Sequence, residues 1–336
     1  MVGGAVPLRF SRVGSAVYDL PVPIHERRPR LRPRRSVLVA ACALLGGIPG
    51  CREADDVAPA PSVTLTVLEN GREPRTALRY PAEPTPAHKM SLTLRLAMKM
   101  EVPGSPVPPV TMPGLRLMLD IESARAGPSA LKYAFTVSDA DLTSTDSAHP
   151  SLLAEMRKGV GALVGASGHL IVEPRGLRSE LALALPAGIG QELSQFMNSA
   201  RLAIGQMVVP LPAEPVGPGA KWEAVEVVSQ DGISVREKTY FELVALEGPR
   251  ALIRTQTVQS ADKQRAALPG LPDGVSAEVV SLRGSGAGEI ELDLRRLVPG
   301  NASEEVKTDV SFVVRQGKTE RAMSLTANSG LEIQAL

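Results

Sequence analysis

The stretch of sequence that decides the fold is Met90-Ser91-Leu92-Thr93-Leu94-Arg95-Leu96-Ala97-Met98-Lys99-Met100-Glu101-Val102. Every second residue is apolar, and the residues between them are polar or small. Such a long alternation is typical of a β-strand in an antiparallel sheet, with one face buried and the other solvated. The pattern therefore predicts a long strand with a wall of Leu and Met side chains on one face.

The same two-residue period recurs along the chain after residue 63. It predicts further strands at 115–121, 131–138, 177–185, 222–229, 233–246, 251–260, 275–283, 289–294, 306–315 and 321–327. Asp231-Gly232 between two of these strands predicts a tight hairpin. Gly284-Ser285-Gly286-Ala287-Gly288 interrupts the pattern, and we interpret it as a bulge or a close-packed turn.

Two segments have the period of a helix instead. Their apolar residues step by three and four, at Leu153, Met156, Val160 and Leu163 and at Leu193, Phe196, Met197, Ala200, Ile204 and Met207. Both segments predict amphipathic helices whose Met and Phe side chains pack into a core. We therefore expect an α+β domain, in which a large antiparallel sheet carries two amphipathic helices on one face.

The N-terminal region has the layout of an export signal. Arg34-Arg35 precedes an uncharged run from Val37 to Ile48, which is followed by Pro49-Gly50-Cys51. The run is shorter than the roughly 20 residues of a spanning helix and fits the apolar core of a cleaved signal, about 7–15 residues long. Alternatives for this segment are a buried core helix and a twin-arginine signal, and Cys42 is the rival cysteine.

The end of this run, Ile48-Pro49-Gly50-Cys51, resembles the lipobox of bacterial lipoproteins. That resemblance implies that Cys51 becomes the lipid-carrying first residue of the mature chain. We divide the chain into an extension and signal peptide at 1–50, a lipidated cysteine and tether at 51–61, and a β-rich domain at 62–336. We expect a cell-envelope protein that is anchored to a membrane through Cys51 and faces the periplasm or the cell surface.

The charge of the mature chain argues against nucleic acid as a partner. Residues 1–50 hold eight of the 37 basic residues and two of the 36 acidic ones, so the rest of the chain has a net charge of −5. It has no basic patch of the kind that nucleic acid requires.

Two features resemble known families. Long antiparallel strands with helices on one face resemble the curved half-barrel of the lipoprotein-carrier superfamily, of the LolA and LppX type. The segment Pro215-Val216-Gly217-Pro218-Gly219-Ala220-Lys221-Trp222 is similar to a Pro-Val-x-x-Gly-x-x-Trp segment of uncharacterised bacterial lipoproteins. The resemblance covers residues 130–336 and implies a fold and an envelope location, but no substrate.

Familiar catalytic and metal-binding signatures are missing from the sequence. The acidic run Asp139 to Asp146 lacks the Gly and the Glu of a calcium loop, and Ser129-x-x-Lys132 lacks the partner motifs of penicillin-recognising enzymes. His88, His149 and His169 have no metal-ligand spacing. We expect a protein without catalytic residues, metal or cofactor, although paired carboxylates would leave no signature.

The candidate ligand-binding residues are the apolar ones of the deciding strand together with the single Trp: Leu92, Leu94, Leu96, Met98, Met100 and Trp222. On a concave sheet face they would form an adaptable wall for a lipid or an acyl chain. The stripe could equally be packed core, and Trp222 could plug the end of the barrel. An alternative function is a structural or protein-interaction lipoprotein that offers a sheet face or edge to an envelope partner.

Overall fold

The computed structural model describes residues 58–59, 63–104, 107–143, 150–185, 204–205, 208–230, 233–266, 274–297 and 299–336. The strands are β1 (Ala58–Pro59), β2 (Thr64–Glu69), β3 (His88–Glu101), β4 (Val110–Thr111), β5 (Gly114–Arg125), β6 (Leu131–Thr143), β7 (Ser167–Val172), β8 (Arg178–Ala184), β9 (Lys221–Gln230), β10 (Ile233–Glu247), β11 (Arg250–Ala261), β12 (Gln264–Ala266), β13 (Val275–Asp293), β14 (Asn301–Gln316) and β15 (Thr319–Ala335). The described helix is α1 (Pro150–Val160), which a 3-10 turn extends to Leu163.

All these strands belong to one antiparallel sheet, which confirms that part of the predicted fold. Their order is β1-β8-β7-β6-β5-β3-β15-β14-β13-β11-β10-β9-β2, with β4 beside β3 and β12 beside β13. The C-terminal strand β15 pairs with β3, so that Leu331 lies opposite Leu94. The sheet is open, because β1 and β2 end it without pairing to each other, and it is curved.

Side chains from the two ends of the sheet meet on one of its faces. β8 and β9 are ten steps apart in the strand order, which would be roughly 48 Å in a flat sheet. Yet Arg178 Nη2 of β8 lies 2.9 Å from Glu226 Oε2 of β9, and both side chains are 12 % exposed. The sheet therefore curves toward this face, which we call the concave face.

Much of the concave face is covered by irregular chain. Residues 70–80 and 208–220 run side by side, joined by reciprocal backbone hydrogen bonds of 2.9 and 3.0 Å between Thr76 and Val216. We call the apolar cluster that they complete the closed core. It includes Leu78, Tyr80, Met90, Leu92, Leu94, Leu117, Leu119, Tyr133, Leu170, Trp222, Phe241, Ile253 and Ile333.

The helical part of the prediction is confirmed only for α1. This helix begins at Pro150, as a first-turn proline allows, and it leads Val160 and Leu163 into the closed core. The second predicted helix, 193–207, lies outside the described residues apart from the helical Ile204 and Gly205. Two helices on one face are therefore not confirmed, and the described part is mostly β-sheet.

The predicted strands are largely confirmed. Gln230 pairs with Ile233, as the predicted β9–β10 hairpin requires, although Asp231 and Gly232 themselves are outside the described residues. The interpretation of Gly284–Gly288 as a bulge or a close-packed turn was wrong. β13 runs without a break from Val275 to Asp293 and carries these glycines in its interior.

Candidate functional site

The apolar stripe of β3 lies in two different environments. Leu92 and Leu94 are 0 % and 8 % exposed and belong to the closed core. Leu96, Met98 and Met100 follow on the same face but are only partly buried. The first half of the stripe is thus packed core, while the second half keeps accessible surface.

The accessible half continues across the two neighbouring strands. On the concave face, Leu96 lies opposite Ser329 of β15, which lies opposite Val306 of β14. We call the partly exposed apolar residues of this surface the apolar floor: Leu96, Met98, Met100, Val306, Met323, Leu325 and Ala327. It runs for about 14 Å from Leu96 to Met100, and its Met side chains can adapt to irregular ligands.

A second apolar cluster lies further along the concave face. Its buried members are Ile233, Val235, Ala266, Ala277, Val279, Leu282 and Val310, and Leu325 of the apolar floor packs against them. One end of the floor therefore rests on this second core, and Leu96 at the other end adjoins the closed core.

Polar side chains occupy the concave face between the two cores. We call them the polar band: Glu226, Glu237, Thr239, Thr255, Thr257, Gln259, Glu304 and Thr308. Three of them, Glu237, Thr255 and Thr257, are only 3–4 % exposed. Burying polar groups costs free energy unless they are hydrogen-bonded. A buried polar band between two apolar cores therefore calls for an explanation, and we treat it as a candidate functional site.

The polar band is joined by hydrogen bonds, two of which pass over β13. Thr257 Oγ1 of β11 donates to Glu304 Oε1 of β14 at 2.8 Å. Thr308 Oγ1 donates to Gln259 Oε1 at 2.9 Å. Gln259 Nε2 in turn donates to Glu237 Oε2 at 2.9 Å. Side chains from strands that are not neighbours thus meet above the strand between them.

Glycines on β13 make these contacts possible. A Cβ atom on Gly284 would lie 2.5 Å from Gln259 Oε1, and one on Gly288 would lie 2.5 Å from the Ser303 carbonyl oxygen. Any side chain at these positions would collide with the polar band or with β14. These glycines therefore allow side chains of β11 and β14 to approach each other across β13, and they do not form a turn.

Glu304 and Thr255 lie side by side in the band and both have unused hydrogen-bonding capacity. The register places Gly288 between them, opposite Thr255 on one side and Glu304 on the other. Burial raises the pKa of Glu304, and the hydrogen bond from Thr257 partly opposes this shift. The Thr255 hydroxyl has no hydrogen-bond partner within the described residues. Both groups can accept a further donor.

Trp222 is not brought to the apolar floor. Its side chain is 0 % exposed, its Nε1 donates to the Pro210 carbonyl oxygen at 2.9 Å, and its ring stacks on Phe241 at 5.4 Å. A Trp with a satisfied N–H and no accessible surface is a packing residue. The other predicted site residue, Cys51, lies outside the described residues.

The void described in the closed core is small. A void of about 20 Å³ lies between Leu119, Tyr133, Phe135 and Leu297, which is room for roughly one water molecule. A polar groove of about 380 Å³ lies on the convex face, but its Arg95 and Arg116 pair with Glu332 and Asp141. Neither space suits an acyl chain.

Comparison with protein-family models and with curated proteins found no match to this chain. Within the described residues, no helix is both long and apolar enough to cross a membrane. The same residues contain no group of His, Cys, Asp and Glu side chains arranged to hold a metal ion.

Proposed function

We propose that this protein is a lipid-anchored protein of the cell envelope that binds the acyl chain of an amphiphile on its apolar floor, without catalysing a reaction. The observation that carries the proposal is the partly exposed apolar surface on β3, β15 and β14, in which only Ser329 separates Leu96 from Val306. Its concavity, its length and its Met side chains suit a flexible chain. The proposal also draws on the resemblance to half-barrel lipoprotein carriers.

A matched set of Trp substitutions on β3 tests this binding site. Leu96→Trp fills the floor, so binding of an uncharged fluorescent dodecyl probe should weaken by about tenfold or more while the melting temperature stays near normal. Leu92→Trp enlarges a fully buried side chain and should cost roughly 1–3 kcal/mol or more of unfolding free energy.

Lys99→Trp is the control for these variants, because it places the same ring on an exposed position of the opposite face. It should change neither binding nor stability. A wild-type chain that binds no probe, or a Leu96→Trp variant that binds it normally, would exclude the apolar floor as the site.

We also propose membrane anchoring through Cys51. Acyl chains on this residue would supply about 0.8 kcal/mol of membrane affinity per buried CH₂. Cys51→Ser should therefore move the protein from the membrane fraction to the soluble fraction. Retention of the variant on membranes would refute the lipid anchor.

The interaction lipoprotein is the second candidate, and the edge strand β2 favours it. β2 pairs only with β9 within the described sheet, and Leu68 on it is 51 % exposed. A partner strand could add to such an edge. In that case Leu68→Lys would reduce cross-linking to an envelope protein and leave binding of the dodecyl probe unchanged.

A further inference from the structure

We infer that the amphiphile held on the apolar floor carries an ammonium group at its polar end, which Glu304 receives with Thr255 beside it. This inference rests on the proposed function, since it names the chemical class of the ligand for the same site. Glu304 lies at the head of the floor. On the concave face of β14, Val306 is the next residue after Glu304, and Val306, Ser329 and Leu96 form one row across three strands.

A ligand whose polar end binds at Glu304 would therefore have its apolar chain directly over the apolar floor. From the level of Leu96 the chain could run along β3 toward Met100, a distance of about 14 Å. An extended dodecyl chain is of comparable length. The geometry thus fits a single molecule with its polar end at the band and its apolar tail on the floor.

The groups that face this position are hydrogen-bond acceptors. Glu304 accepts one hydrogen bond, from Thr257 to Oε1, and a carboxylate can accept several more. The Thr255 side chain is 4 % exposed and its hydroxyl lies beside Gly288 without a partner in the described residues. An ammonium group has three donors and no acceptor, so it complements a carboxylate and a hydroxyl oxygen.

The charges near the polar band disfavour an anionic head group there. Arg178 is held by Glu226 at 2.9 Å and is not available to a ligand. The described concave-face positions of β14 and β15 carry one other cation, Arg321, which is ten residues along β15 from Leu331, the partner of Glu304. Arg321 is thus roughly 34 Å from Leu331. A ligand carboxylate beside Glu304 would be repelled by the Glu304 carboxylate, and no cation at these positions is near enough to offset the repulsion.

Displacement of the uncharged dodecyl probe from the full chain tests this inference. Dodecylammonium, dodecanoate and dodecanol would be compared below their micellar concentrations, at a pH of about 8 where the amine and the acid are both charged. Propylammonium, which lacks the long chain, shows whether the head group alone binds. Each ligand would be measured on the wild type, on Glu304→Gln and on Glu305→Gln. Glu305 is exposed on the convex face, so its variant removes the same charge without touching the site.

We expect dodecylammonium to bind about tenfold or more tightly than dodecanoate, as a hydrogen bond to a charged group allows. Glu304→Gln should remove this preference and keep the affinity for dodecanol, whereas Glu305→Gln should keep both. Equal binding of the two ions, a preference for dodecanoate, or a preference that survives Glu304→Gln would overturn the inference. These outcomes leave the proposed function standing, whereas failure of the uncharged probe to bind at all removes both.

Discussion

Two buried tyrosines of the closed core differ in what their hydroxyl groups contact. The Tyr80 hydroxyl donates to the Val209 carbonyl oxygen at 3.2 Å and accepts from the Val209 amide at 3.1 Å. The Tyr133 hydroxyl is buried and finds no partner among the described residues. Burial raises the pKa of both side chains, that of Tyr133 to about 12, so both hydroxyl groups stay protonated over the physiological range. The two hydroxyl groups should therefore contribute to stability with opposite sign.

We predict that Tyr80→Phe lowers the free energy of unfolding by about 1–3 kcal/mol, because it leaves the buried Val209 amide and carbonyl unpaired. Tyr133→Phe removes an unsatisfied hydroxyl, so it should leave that free energy unchanged or raise it by up to about 1 kcal/mol. Urea unfolding measures the free energy of unfolding of both variants and of the wild type. Equal losses would show that the Tyr133 hydroxyl has a partner after all.

Glu304 makes stability depend on pH in a predictable direction. Because its pKa is raised above the ordinary value of 4.5, the folded state keeps a proton that the unfolded state has already released. The contribution of Glu304 to stability therefore falls as the pH rises from about 4.5 through the folded pKa. Glu304→Gln cannot ionise and should gain stability relative to the wild type across this window.

Melting temperatures of the wild type and Glu304→Gln between acid and neutral pH measure this effect. The difference should grow with pH and then level off above the folded pKa. Glu305→Gln, on the convex face, serves as the control for loss of one charge. A difference that is independent of pH would mean that Glu304 titrates alike in both states.

At the scale of the element, β3 combines buried and solvated faces along one strand. Leu94→Asp would place a charge in the closed core, at a cost of several kcal/mol, and should lower the melting temperature by on the order of 10 °C. Thr93→Asp changes a partly exposed residue of the convex face and should have a small effect. Similar melting temperatures for the two variants would contradict the observed register.

Much of the sheet could be predicted from sequence because alternation directly reports which residues share a face. The division of the β3 stripe into a buried half and an accessible half could not be predicted in this way. Leu92 and Leu96 look alike in sequence, but Leu92 belongs to the closed core, to which residues 70–80 and 208–220 contribute, and Leu96 does not. Those two segments have no period, and they are brought together by pairing between Thr76 and Val216, 140 positions apart in the chain.

The polar band also escaped the sequence analysis, for a related reason. Thr255 and Thr257 alternate with polar residues, so β11 shows no apolar face at this point. Their role depends on Glu304 of β14. The fold brings Glu304 close to Thr255 and Thr257 across the intervening strand β13. A signal was present in the glycines at every second position of β13, which mark a face that admits no side chain. The sequence alone favours a bulge or a close-packed turn, because glycine inside a strand often marks such an irregularity.

At the scale of the whole molecule, the curved sheet forms a concave face with four zones. The closed core and the second apolar cluster are packed and stabilise the fold, the polar band between them offers acceptors and charge, and the apolar floor stays partly open. Arg178 and Glu226 join opposite ends of the sheet across this face, which holds its curvature. We propose that the apolar floor is open because it binds the chain of an amphiphile.

Native mass spectrometry of the mature protein extracted from its own membranes tests this proposal most directly. Covalently attached acyl chains remain after denaturation, so a non-covalent ligand is recognised as mass that denaturation removes. We predict one amphiphile per chain in the wild type and in Lys99→Trp, and its loss from Leu96→Trp. A wild-type chain without such mass, or an adduct that persists in Leu96→Trp, would contradict the account.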